Sequence, residues 1–148
     1  MNRDFAEILS ALSDAGADFL IVGAHALAAH GLPRATGDLD IWVRPSPENA
    51  RRVLAALRAF GAPLHDLDEK DLAHLGTVFQ IGVVPCRVVI LTEISGVDFD
   101  EAWSRRQWFV VDEQRLPFLS REDLARKKRA AGRPKDLADL AALEGTEP

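Results

Sequence analysis

The sequence predicts one mixed α/β domain, and three observations carry that expectation. Apolar residues recur at helical spacing in several segments, short apolar runs of strand length lie between them, and no linker, repeat or low-complexity tract divides the chain. At 148 residues the chain can bury a core unaided, so a single domain over 1–148 is expected.

Phe5, Ile8, Leu9 and Leu12 form the first helical stripe, and Gly16 ends it. Phe19-Leu20-Ile21-Val22 is a continuous apolar run ending at Gly23, the pattern of a buried strand. Ala24 to His30 reads as a short helix closed by Gly31. Asp38-Leu39-Asp40-Ile41-Trp42-Val43 alternates and then turns wholly apolar, which predicts a strand with one end open to solvent.

Ser46 as N-cap, Pro47 at the first helical position and Gly61 as terminator bound a helix whose inner face is Val53, Leu54, Leu57 and Phe60. Pro63 to Gly76 is polar and predicts no more than a helical turn around Asp71 to Leu75. Thr77 to Val83 and Arg87 to Leu91 read as an antiparallel hairpin. A helix over Phe99 to Arg105 precedes a second strand pair, Trp108 to Val111 and Leu116 to Leu119. Ser120 with Asp123 three residues on resembles a capping box for a helix through Lys128. Gly132 ends it, Pro134 restarts the chain, and Leu137, Leu140 and Leu143 stripe a final helix.

Composition narrows the function classes. The chain is 47% hydrophobic and 28% charged, which excludes disordered and collagen-like types. A single cysteine, Cys86, excludes a disulfide framework and a Cys-based zinc site and fits a reducing compartment. Met1-Asn2-Arg3-Asp4 leads directly into the first helical stripe without the basic and apolar regions of a signal peptide. No apolar run approaches the roughly 18 residues of a membrane span. A cytoplasmic protein with no membrane partner is the expectation.

A formal net charge of −5 excludes a domain that coats nucleic acid by bulk electrostatics. A local basic run does exist: Arg121, Arg126, Lys127, Lys128, Arg129, Arg133 and Lys135 against Glu122 and Asp123. It is either a solvated helix face or a surface for an RNA or an acidic protein.

Asp38 and Asp40 are the strongest chemical signal. Aspartate is disfavoured within strands, and two at i and i+2 share a face with Cα atoms roughly 6.5–7 Å apart. Such carboxylates repel each other, and a divalent cation relieves the repulsion. Upstream, Gly23 allows close backbone approach, and the helix that follows presents free N–H groups to a phosphate.

Val22-Gly23-Ala24, His30-Gly31, Arg34, Thr36 and Asp38-Leu39-Asp40 together resemble the signature of the minimal nucleotidyltransferase superfamily, a hydrophobic-Gly-Gly/Ser turn followed by Asp-x-Asp. Gln80-Ile81-Gly82, the run Arg87 to Thr92 before Gly96-Val97, and Lys128, Gly132-Arg133 and Asp136 are similar to a small bacterial branch akin to the AbiEii-type toxin-associated nucleotidyltransferases. The resemblance implies a polymerase-beta-like fold with a mixed, mostly antiparallel sheet flanked by helices. It also implies two Mg²⁺ ions and transfer of a nucleoside monophosphate from an NTP to an acceptor hydroxyl, with pyrophosphate released. Asp38 and Asp40 then serve as metal and catalytic residues, and Gly23 with Ala24 contacts the phosphates. His30, Arg34 and Thr36 before the acidic strand, and Lys128, Arg133 and Lys135 from the tail, are the further nucleotide-binding candidates.

Two departures from the pattern matter. Ala24 replaces the second Gly/Ser, a mild change that keeps the backbone N–H. Val89 stands where the family's third carboxylate falls, and valine neither ligates a metal nor accepts a proton. Glu93 shares its strand parity but lies about 13 Å further along, and Asp98 and Asp100 follow in another segment. His25 and the tryptophans Trp42, Trp103 and Trp108 read as packing residues.

The leading expectation is therefore a Mg-NTP-binding nucleotidyltransferase-like protein acting on an RNA or protein acceptor, with catalysis impaired at Val89. A catalytically silent binding module, such as a toxin or antitoxin partner, is the alternative. A small-molecule acceptor such as an aminoglycoside is a third reading, for which a homodimer interface would supply the missing acceptor surface.

Overall fold

The structure, a computed structural model, describes residues 1–32, 34, 37–83 and 86–145. Its elements run α1 (Arg3–Asp14), β1 (Phe19–Val22), α2 (Gly23–Ala29), β2 (Asp38–Val43), α3 (Pro47–Phe60), α4 (Glu69–Ala73), β3 (Val78–Ile81), β4 (Arg87–Leu91), α5 (Phe99–Ser104), β5 (Gln107–Val111), β6 (Gln114–Phe118), α6 (Arg121–Ala131) and α7 (Pro134–Gly145).

The strands form one sheet in the order β3-β4-β2-β1-β6-β5. The pairs β1/β2, β3/β4 and β5/β6 are antiparallel, and β2/β4 and β1/β6 are parallel. Local chemistry sets the boundaries. Asn2 caps α1, and Ser46 caps α3 by accepting from the Asn49 N–H at 3.2 Å. Gly61, at φ 89°, stops α3 in the left-handed conformation that a side chain would resist.

Strand alternation divides the residues of the sheet between two faces. Phe19, Ile21, Leu39, Ile41, Val43, Val88 and Ile90 point one way and are buried. Asp38, Asp40 and Trp42 point the other way, alongside Arg87, Val89 and Leu91 of the parallel neighbour. Trp42 meets Phe99 of α5 edge-on at 4.9 Å between ring centres, so α5 covers the far end of this second face. The helices pack as α1 on α3, α3 on α4 and α6 on α7, and the buried apolar side chains form one contiguous core.

Four segments depart from the expectations. The stretch before β3 holds a true helix, α4, with a reciprocal capping box between Asp68 and Asp71, both bonds 3.0 Å. β3 is shorter than expected because Gly82, at φ 78°, turns the chain against the Cys86 carbonyl. β6 begins two residues early, since Asp112 and Glu113 both take positive φ and close a two-residue hairpin without the usual glycine. Pro117 is tolerated in β6 because the β1 ladder reaches only Phe118.

The fourth departure is in α7. Leu137 is 49% exposed, and the inward positions belong to Asp136, Asp139 and Leu143. Among the described residues no helix is long and apolar enough to cross a membrane. The β3 and β5 strands are the sheet's open edges, bearing exposed Val78 on one and Trp108 and Val110 on the other.

Candidate functional site: an acidic pair ringed by cations

Asp38 and Asp40 project from the solvent end of β2 into a cleft of about 510 Å³. The register explains which side chains surround them. Asp38 pairs with Arg87 and Asp40 with Val89 across the parallel β2/β4 ladder, and Val22 lies opposite Asp40 on the antiparallel side. Gly23 therefore follows the strand directly beside Asp40. Its φ is 72°, and a Cβ there would overlap the Asp40 Oδ2 and stand 3.1 Å from the Asp40 Cβ and Cγ. The glycine is demanded by the carboxylate itself, in addition to any phosphate.

Electrostatics in the cleft run against a simple acidic site. Arg87 donates through Nη2 to Asp38 Oδ2 at 2.7 Å and through Nε to Oδ1 at 3.2 Å, a fork that engages both carboxylate oxygens. Burial pushes the Asp40 carboxyl above its ordinary range, the positive Lys127 pulls it back down, and the nearby Asp38 adds to the upward push. Burial likewise lowers the Lys127 ammonium, helped by Lys128, while Asp40 and Asp136 oppose that shift. Lys127 stands over the acidic face because α6 packs closely on the loop after β4. A Cβ at Gly96 would lie 2.5 Å from the Ala130 Cβ and 3.4 Å from the Arg126 carbonyl.

The C-terminal helices close the cleft through charge. Lys128, 8% exposed, reaches Asp139 at 3.0 Å and Asp136 at 3.4 Å. Arg34 also pairs with Asp139, which fastens the loop before β2 to α7. Arg133 donates to Asp136 at 2.6 and 3.2 Å, and these bonds hold the Asp136 carboxyl down at about 2. Asp123 is fully buried. Burial pushes its carboxyl up, but hydrogen bonds from Arg105, Arg126 and Ser120 together hold it below the usual range.

The structure brings together most of the expected residues. Gly23, Ala24, Arg34, Asp38, Asp40, Lys128, Arg133 and Lys135 all line this cleft. Thr36 lies outside the described residues. His30 does not join them: its Nε2 lies 2.9 Å from the Leu119 carbonyl, and its ring meets Phe109 edge-on at 5.3 Å. It is a packing residue between α2 and the β5/β6 hairpin, and burial lowers its imidazole pKa. Glu93 lines a neighbouring pocket with Lys127.

Much of the basic run is neutralised locally. Arg126 pairs with Glu122 and Asp123, and Arg129 with Glu144, while Arg121 donates to the His30 and Leu143 carbonyls. Two cleft residues, Arg87 and Lys127, are not among the site residues expected from the sequence. The signal for Arg87 was its position two residues before Val89, which places it on the acidic face.

No family model and no curated protein matches the chain. Among solved structures, the crystal structure of a "putative nucleotidyltransferase" from Thermotoga maritima superposes with a TM-score of 0.61 at 15% identity, covering 96% of this chain and 89% of that one. The chain has a nucleotidyltransferase fold. At 15% identity the likeness speaks for the fold alone and lends nothing to the AbiEii-type branch.

The nucleotidyltransferase fold implies divalent ions, so the donors in the cleft matter. Both oxygens of Asp38 are engaged by Arg87, and Val89 offers no ligand atom beside Asp40. Among the described residues no group of three or more His, Cys, Asp or Glu side chains is placed to hold a metal. This donor set does not fit a pair of metal ions, which needs carboxylates bridging or flanking both.

Proposed function

We propose that this chain is a nucleotidyltransferase-like protein whose cleft receives the triphosphate of an NTP, with transfer to an RNA or protein acceptor impaired. One observation carries the reading: Arg34, Lys128, Arg133 and Lys135, drawn from the loop before β2, from α6, from the α6/α7 junction and from the start of α7, converge with Lys127 and Arg87 on the wall around Gly23, Asp38 and Asp40. Cations outnumber acids there, although the whole chain carries a net charge of −5. A concave site with excess positive charge concentrates polyanions. Its volume of about 510 Å³ lies within the range of small-molecule pockets.

On this reading Gly23 and Ala24 supply backbone at the phosphate side, and Lys128 and Arg133 face the phosphates. Asp38 and Asp40 are the residues that would hold Mg²⁺, although the donor set does not fit the implied pair of ions.

Isothermal titration with ATP, CTP, GTP and UTP in Mg²⁺ buffer tests the proposal. Saturable binding of at least one, weakened in Lys128→Ala and Arg133→Ala, is the expected result. Absence of binding for all four sinks it.

The second reading, a silent module such as a toxin or antitoxin component, is favoured by Val89 and by the Arg87 fork on Asp38. It rests on the sequence resemblance for its partner, the other half of a toxin–antitoxin pair. Incubating the purified protein with radiolabelled NTP in a lysate separates the two. Labelling of any macromolecule refutes the silent module.

A further inference from the structure

The acidic pair arrives in this fold already neutralised. Two carboxylates on one strand face repel a phosphate unless a positive charge intervenes, and the usual intervening charge is a metal. Here Arg87 forks Asp38 from the adjacent strand at 2.7 and 3.2 Å. Lys127, set down beside Asp40 by the Gly96 contact with α6, lines the same cleft. Where a further carboxylate would complete a metal cage, the register places Val89, only 9% exposed. A divalent ion entering this site would have to displace a bidentate guanidinium and give up water, with two protein carboxylates at most to receive it.

From these three observations we propose that the cleft binds the polyphosphate of its nucleotide without a divalent cation, Arg87 and Lys127 serving as built-in counter-charges to Asp38 and Asp40. The idea rests on the nucleotide reading above and narrows it to the metal-free anion. With the acidic pair balanced, Lys135 and the exposed Arg133 supply the surplus that attracts phosphate. Among the described residues Lys135 forms no salt bridge, so its charge is available to a ligand.

The test uses the full chain and two probes, sodium tripolyphosphate and ATP, titrated calorimetrically in EDTA and again in excess Mg²⁺. The expected result is binding in EDTA with a Kd within about threefold of the Mg²⁺ value. Lys127→Ala should weaken tripolyphosphate binding in EDTA about tenfold or more, because Asp40 loses its counter-charge and repels the anion. Binding seen only with Mg²⁺ overturns the inference and leaves the nucleotide reading intact. No binding of either probe in either buffer overturns both.

A second arm asks whether the wild type takes a metal by itself, using Mn²⁺ followed by electron paramagnetic resonance. No saturable binding is expected in the wild type, whereas Arg87→Ala with Val89→Asp should gain it. Wild-type Mn²⁺ binding abolished by Asp38→Asn also overturns the inference.

Discussion

Gly23 and Asp40 compete for one volume, and the competition explains both residues. The carboxylate fills the space a Cβ would need, and the backbone there already sits at positive φ. Gly23→Ala therefore meets a clash and a strained conformation together, and should destabilise the fold by about 2 kcal/mol or more in urea denaturation. Adding Asp40→Ala removes the clash but not the φ strain, so the double variant should recover part of that loss. Full additivity of the two changes would refute the shared-volume argument.

The same scale shows what could and could not be read in advance. Asp38 and Asp40 were legible because acids in an apolar strand are anomalous. Arg87 and Lys127 were not, because each is an ordinary residue until parallel register and helix packing place it beside an acid.

At the scale of elements, the α6/α7 pair departs furthest from its pattern. A leucine stripe predicts an apolar contact, yet Asp136 and Asp139 occupy the buried positions with Lys128, Arg133 and Arg34 as partners. Helical periodicity was legible, but which face turned inward depended on partners remote in sequence. The pH consequence follows in sign. Asp136 is held at about 2, below its unfolded value near 4, so its contribution is fully present above that unfolded value and is lost as pH falls through about 2. Stability followed by circular dichroism should decline between about pH 4 and 2 less steeply in Asp136→Asn than in the wild type. Identical slopes would argue against the network.

The α6 N-cap offers a second check. Ser120 accepts from the Asp123 N–H at 3.0 Å, but the Asp123 side chain turns to Arg105 and Arg126 instead of completing a capping box. Ser120→Ala should cost about 0.5–2 kcal/mol, read from urea midpoints. The capping signal in the sequence was correct for the serine and blind to the acid's long-range partners. α4 shows the converse: its box is built from two aspartates, a pair that the serine-glutamate pattern does not flag.

For the molecule as a whole, one continuous core underlies both the sheet and the cleft. Leu54→Ala, 2% exposed in α3, should cost about 2–5 kcal/mol in urea while leaving tripolyphosphate binding unchanged at a temperature where the variant is folded. A matched loss of affinity would mean that the cleft draws on that side of the core.

Strand identity and the mixed helix-strand order were legible locally. The sheet order was not, because β1 and β2 sit at the centre while β3/β4 and β5/β6 attach on opposite sides, an arrangement set by long-range packing.

That order leaves two unlike rims. Copies joining β3 of one to β5 of the next would make a contact that repeats without closing, the geometry of a growing fibre. Arg115 and Arg106, with guanidinium carbons 4.3 and 5.2 Å from the Trp108 ring centre, place positive charge along the β5 rim. Such charges hold approaching copies apart, so the cations that guard this rim stand on the β5 edge, away from those of the cleft beside the central strand β2.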